Sequence, residues 1–202
     1  GTLDASPELV EVTLLALGVS ILIAMPAGLL LGHYGRGEFV AVSAGNAGRA
    51  IPELALIALM AAAIGVGLTN LTIALAILGI PPILTNTFVG IKQVERSSVD
   101  AAEGMGMNVW QVITRVELPM AIPTIMGGVR TSGINIIATA TIAPLVGILT
   151  LGDFIISRNV YSDAGVLAGA ILVALMALAL ELSLAGVQWA LTSPGLKLKA
   201  SK

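Results

Sequence analysis

Long apolar runs, rather than short alternating ones, dominate the chain. Residues 12 to 31 and 164 to 180 carry no charge, and 54 to 91 is an uncharged run of double length. A bilayer core takes about 20 apolar residues per helical span, so these runs predict several crossings. Ala, Leu, Ile and Gly fill them without a two-residue period, which argues against the alternating strands of a membrane barrel. The predicted class is an all-α polytopic membrane protein with about five transmembrane helices.

The first span covers about Val12 to Leu31 and ends at the polar, turn-rich "GHYGRGE". A second starts near Phe39, passes Arg49, Pro52 and Glu53 in its polar half and finishes near Ile64, before "GVGLTN". The third covers about Leu71 to Ile91 and holds Pro81 and Pro82; the fifth covers about Ala164 to Trp189. Between them, a fourth from about Met120 to Leu149 is interrupted by Gly127, Gly128 and Arg130, and a split there would make six elements at membrane depth. Residues 1–202 are expected to form one transmembrane domain.

Charge orients this bundle. Lys and Arg of short loops are retained on the cytoplasmic side. With five spans and the N-terminus outside, Arg36, Lys92, Arg96, Arg115, Lys197, Lys199 and Lys202 fall inside, against Arg158 alone in an outer loop. The C-terminus and the segment at about 92–119 are then cytoplasmic. The chain opens Gly-Thr, and its first span follows Asp4, Glu8 and Glu11 rather than a basic segment, which is unlike a signal peptide. Charged residues are 11% of the total, the net charge is −2 and there is no cysteine, so thiolate metal sites and disulfides are excluded. No cofactor, metal or nucleic-acid partner is expected.

One stretch breaks the apolar monotony: "DAAEGMGMNVWQVITRVELP", residues 100 to 119. It spells two short helices joined by a sharp turn. Ser97 with Asp100 three residues on suits a capping box for the first, and Gly106 suits the left-handed residue that ends it. Asn108 with Gln111 suits a cap for the second, Met107 and Val112 stand at staple spacing, and Pro119 is expected to stop the helix from running straight on. So short a fragment has too little apolar area to stand alone, so it should dock on something. An ordinary interfacial loop is the plain alternative.

The spacing resembles the "EAA" loop in the permease subunits of type I ATP-binding-cassette importers: E-A-A, three residues, G, nine residues, I, any residue, L-P. Asp100, Ala101 and Ala102 stand for the first three, Gly106 for the glycine, and Val116, Glu117, Leu118 and Pro119 for the end. "IPELALIALM" (51–60), "PPILTNTFVGI" (81–91), "ELPMAIPTIMGGVR" (117–130) and "ATATIAPLVG" (138–147) are similar to permeases for osmoprotectant quaternary amines such as glycine betaine, carnitine and choline. Thr85 departs from that pattern, where Arg would precede the Asn-Thr pair.

What the resemblance implies is a transport subunit, not an enzyme, of a bacterial or archaeal cell membrane. Two permease subunits, copies or paralogues, would form the pathway within the lipid bilayer. Two ATP-binding subunits would sit beneath, and an extracytoplasmic binding protein would deliver the substrate. The loop would be the coupling element, with Asp100, Ala101, Ala102, Glu103, Met105, Gly106, Met107, Leu118 and Pro119 meeting or shaping the contact to the ATPase. A permease for another solute, such as methionine or an oxyanion, shares this loop. An ATP-independent channel or structural subunit is the reading from another class.

The residues themselves bear on this in three ways. No G-x-x-x-x-G-K-[ST] segment exists in the chain, so ATP chemistry has to come from a partner. Charges near membrane depth are few: Arg49, Glu53, Arg130 and Glu181, all expected toward the cytoplasmic ends. Aromatics are 3% of the chain, with Phe88 the main one inside a span, so the chain is a poor aromatic cage for a quaternary ammonium.

Candidate pathway or gate residues are Arg49 and Glu53, four apart on one helix face, with Asn86, Thr87 and Asn135. For the last three, hydrogen bonds between helices are the ordinary expectation. "GLLLG" (28–32) and "GVLAG" (165–169) read as close helix packing, His33 as plain surface, and Asp153, Arg158 and Asp163 as solvated charges of an outer loop.

Overall fold

In a computed structural model, which describes residues 2–193 and 195, the chain is helical along its long apolar runs, with the run from 54 to 91 broken at residues 65–67. Four helices are long and apolar enough to cross a membrane. They are α1 (Thr2–His33), α4 (Leu68–Lys92), α7 (Leu118–Ala140, continuous with the segment from Val109) and α9 (Arg158–Leu191). The second predicted span is not one helix. It is α2 (Glu38–Ala50) and α3 (Glu53–Ile64), broken at Ile51 and Pro52. The break has a local cause, since Pro52 lacks an N–H and pushes Ile51 out of the helical region.

α4 is the central post. Gly28 and Gly32 of α1 lie so close to it that an added Cβ would stand 2.6 Å from the Thr87 Cβ and 2.7 Å from the Ile91 Cβ. The "GLLLG" pattern therefore packs helices, as small residues at four-residue spacing do in membranes. "GVLAG" does likewise: a Cβ on Gly169 would meet the Phe154 Cβ at 2.7 Å. Contacts at rising numbers on both chains make α1 and α4 parallel. α7 runs against them, with Gly128 facing Pro82 and Asn86, and Gly90 facing Ala121 and Thr124.

At the middle of α4, Gly79 joins three helices. Its carbonyl accepts a hydrogen bond from the Ser132 hydroxyl at 3.0 Å, and the Ser20 hydroxyl reaches the Ala76 carbonyl at 2.9 Å. Around this level a dry cluster holds Ala16, Leu17 and Ala24 of α1, Leu71, Leu75 and Ile83 of α4, Val129 and Ile136 of α7 and Ile57 of α3.

Three expected boundaries are corrected. The fourth segment is not interrupted at Gly127 and Gly128; the backbone stays helical there because Gly128 provides the close approach to α4, not a break. It ends at Ala140 rather than Leu149, and residues beyond form a single tight turn, Ala143–Val146, closed by Gly147 at φ 83. The last helix starts earlier than expected, at Arg158, with a kink at Ser162 (φ 58). Between them lies the short α8 (Gly152–Ile156).

Candidate functional site

The polar stretch forms a compact two-helix unit at the end of the bundle where α1 and α4 finish. α5 (Arg96–Gly104) ends in a double turn: the Gly106 N–H donates to the Glu103 carbonyl at 2.9 Å and the Met107 N–H to the Ala102 carbonyl at 3.2 Å. That hydrogen-bond pair needs a left-handed residue, and Gly106 has φ 83. α6 (Val109–Val112) opens with the expected reciprocal cap: the Gln111 N–H donates to Asn108 Oδ1 at 3.0 Å and the Asn108 N–H to Gln111 Oε1 at 2.9 Å. Val99, Ala102 and Val112 are buried together, with Met107 and Val116 packed against them, so the staple also forms.

Two expectations for this stretch fail. Ser97 is not the cap of α5. Glu95 holds that position and no side chain bonds the free N–H groups; Ser97 lies inside the helix instead. Pro119 does not stop the chain either. Ile113–Glu117 widens into a π-helical turn, in which the Leu118 N–H reaches back to the Ile113 carbonyl, and this wider turn accommodates Pro119 directly after it. The helix thus runs from Val109 into the membrane without a break.

The nine residues expected at the partner contact divide by exposure. Asp100, Ala101, Glu103, Met105 and Gly106 face outward, Met105 at 72% exposed. Ala102 is buried, while Met107, Leu118 and Pro119 are half-buried and hold the unit's shape. Trp110, 64% exposed beside Val109, extends the outward face, and the sequence reading had passed over it. An exposed Trp at a position the cap does not need is the signal that marks it.

His33 is not plain surface. Its Nδ1 lies 2.8 Å from Glu117 Oε2, and both side chains are under a tenth exposed. The pair ties the end of α1 to the π-helical turn that carries the loop. It lines a cavity of about 510 Å³ between the ends of α1 and α4 and the loop, together with Lys92, Arg96 and Glu103. Glu117 stands inside the "ELP" of the loop pattern, and burial there was not legible in one sequence.

A second cavity, of about 360 Å³, lies at the level of the Gly79 junction. Glu53, Pro81, Thr85, Asn86, Thr131 and Asn135 line it, with Gly45 and Gly48 of α2. Three of the five pathway candidates meet here: Glu53, Asn86 and Asn135. Thr87 does not, since it is fully buried on the α1 side beside Gly28. The Arg49 side chain, and with it the expected pairing to Glu53, lies outside the described part. Asn86 bonds within its own helix, Nδ2 to the Pro82 carbonyl at 2.8 Å, rather than across to another. Thr85 donates to the Ala41 carbonyl at 2.9 Å, which anchors α2 to α4.

Glu53 is not near the loop end. Its Oε2 accepts from the Thr139 hydroxyl at 2.7 Å, and Thr139 is the penultimate residue of α7, at the far end of the bundle. Arg130 and Glu181 likewise sit within the bundle's length: Arg130 Nε donates to Glu181 Oε1 at 2.7 Å and its Nη1 to Gln188 Oε1 at 3.2 Å. In the far loop, Asp153 accepts from the Ser157 hydroxyl at 2.7 Å and from Tyr161 at 3.0 Å, so it is a structural acceptor and not a solvated charge. Arg158 and Asp163 pair on the surface. Lys197, Lys199 and Lys202, used above for orientation, lie outside the described residues.

Comparison with known proteins adds the remaining evidence. A family model described as the binding-protein-dependent transport system inner membrane component matches residues 20–192. The carnitine transport permease of Listeria monocytogenes is 36% identical over 187 residues, covering 92% of this chain and 86% of the relative. The glycine betaine/carnitine/choline permease of Bacillus subtilis is 35% identical over 191 residues, 94% and 88% of the two chains. Among solved structures, an inward-facing form of the MetNI methionine ABC transporter superposes with a TM-score of 0.83 at 20% identity, over 95% of this chain and 96% of that one, a likeness of fold.

Proposed function

Because the chain belongs to the family of binding-protein-dependent transport system inner membrane components, we propose that it is the membrane-spanning subunit of an ATP-driven importer for quaternary-amine osmoprotectants of the glycine betaine, carnitine and choline type. The single observation that carries the cargo class is the identity, sustained over most of both chains, to permeases named for those solutes. ATP hydrolysis belongs to a partner pair of ATP-binding subunits. An extracytoplasmic binding protein delivers the cargo, and two permease subunits enclose the path.

In this reading the outward face of Asp100, Ala101, Glu103, Met105, Gly106 and Trp110 docks on the ATPase, on the cytoplasmic side. The geometry supports a lever. The loop is internally capped, packed on its own small core, and continuous with α7 through the π-helical turn, so a displacement at Met105 is passed to α7 as a rigid element. The His33–Glu117 contact passes the same motion to α1. The cavity beside Glu53, Asn86 and Asn135 is this subunit's half of the path.

The test is uptake of labelled glycine betaine, carnitine and choline by the permease reconstituted with its cognate ATPase and binding protein. Uptake that requires ATP and the binding protein is expected for at least one of the three. Uptake of methionine alone would move the chain to the other solute class, and uptake without ATP would overturn the importer reading.

A further inference from the structure

We propose that the Glu53 carboxylate is the counter-charge for the cargo's cationic group, making the cavity it lines a weak site for an organic cation without N–H donors. This rests on the transport reading above and names the chemistry of its pathway. Two short helices meet at this cavity, α2 ending at Ala50 and α3 starting at Glu53. Irregular backbone at membrane depth persists where it lines a cavity, because in lipid its free groups would have no partner. The volume of about 360 Å³ lies at the lower end of the range for small-molecule sites.

The wall is unusual in its hydrogen-bonding character. The Thr85 hydroxyl donates a hydrogen bond to the Ala41 carbonyl, the Thr131 hydroxyl to the Gly127 carbonyl at 2.9 Å, and the Thr139 hydroxyl to Glu53 itself. Asn86 has turned an amide hydrogen to the Pro82 carbonyl. The three hydroxyl hydrogens are therefore committed to the protein, which leaves the amides of Asn86 and Asn135 beside the Glu53 carboxylate as the polar groups facing the cavity. Such a lining suits a cation that cannot hydrogen-bond, with amide donors left for a carboxylate or hydroxyl on the same cargo. Among the described residues, no aromatic, lysine or arginine side chain lines the cavity, and Coulomb attraction to Glu53 is the means of holding a quaternary ammonium that they provide. The hydrogen bond from Thr139 orients Oε2 at the cavity wall.

The experiment uses the reconstituted transporter with loaded binding protein and reads initial uptake of choline and glycine betaine beside ATPase rate. Glu53→Gln is expected to lower uptake of both at least tenfold, while ATPase stimulated by the loaded binding protein stays within about threefold of wild type. Glu53→Asp should recover part of the loss. Wild-type uptake by Glu53→Gln overturns the proposal. So does full recovery in the Arg49→Gln/Glu53→Gln pair, which would make Glu53 only a partner for Arg49. If Glu53→Gln does not accumulate in the membrane, Glu53→Ser removes the same charge, and wild-type uptake by that variant also overturns the proposal. Failure of wild type to move either solute sinks the cargo class itself and is distinct from these outcomes.

Discussion

At the scale of single residues, two side-chain pairs tie helices together, and they differ in what surrounds them. His33 and Glu117 are buried on both sides, 84 residues apart, where removal of one leaves the other without its partner. A buried polar group left unsatisfied costs about 1–3 kcal/mol. Glu117→Leu is therefore expected to lower the melting temperature of the detergent-solubilised permease by several degrees, and His33→Leu/Glu117→Leu to recover part of that loss. A fluorescence melt of the three variants checks it. The Arg130–Glu181 pair lies within the bundle's length, between α7 and α9, and is about a third exposed on the arginine side. An uncompensated charge at the helix centre costs about 2.5–3.5 kcal/mol on insertion scales. Glu181→Leu alone should then reduce the amount of protein found in the membrane more than Arg130→Met/Glu181→Leu, read by quantitative immunoblot. Equal levels would mean that the pair contributes nothing to insertion or folding.

At the scale of elements, adjacent alanines separate docking from folding. Ala101 is exposed and Ala102 is buried under Val99 and Val112. Ala101→Glu is expected to abolish co-purification of the ATPase while leaving the melt within about 2 °C of wild type, because surface substitutions stay within about 0.5 kcal/mol. Ala102→Glu buries a charge and should lose both. If Ala101→Glu retains the ATPase, the outward face is not the docking surface.

Much of this element was legible in the sequence. The cap at Asn108 and Gln111 and the left-handed Gly106 follow from local chemistry that needs no tertiary context. The cap expected at Ser97 and the stop expected at Pro119 failed for the opposite reason. The start of α5 is set by how the chain leaves α4 at Lys92, and Pro119 is absorbed by a π-helical turn that packing of Ile113 and Glu117 into the bundle stabilises. The second span failed as one helix because hydropathy averages across Ile51 and Pro52, where backbone restrictions act on single residues. The partner of Glu53 was illegible because Thr139 is 86 positions away.

At the scale of the molecule, the exposed surface is of two kinds. α9 is apolar and almost wholly outward, with Leu167, Leu175 and Leu182 each more than half exposed, which is the surface that lipid solvates. The side bearing Glu53, Thr131 and Asn135 is polar and indented. A half-cavity with a carboxylate cannot face hydrocarbon at the same cost as leucine, so a second permease subunit is expected to cover it. Because the chain has no cysteine, single reporters are clean. Asn135→Cys should form an intermolecular disulfide under mild oxidation in membranes if two copies of this chain face each other across the path. Leu175→Cys, on the lipid side, should not. A cross-link from Asn135→Cys to a different permease, seen when a partner carrying a cysteine at the matching position is co-expressed, would assign a paralogous pair. Cross-linking from Leu175→Cys with none from Asn135→Cys would place the subunit interface on α9 and remove the pathway assignment of the cavity.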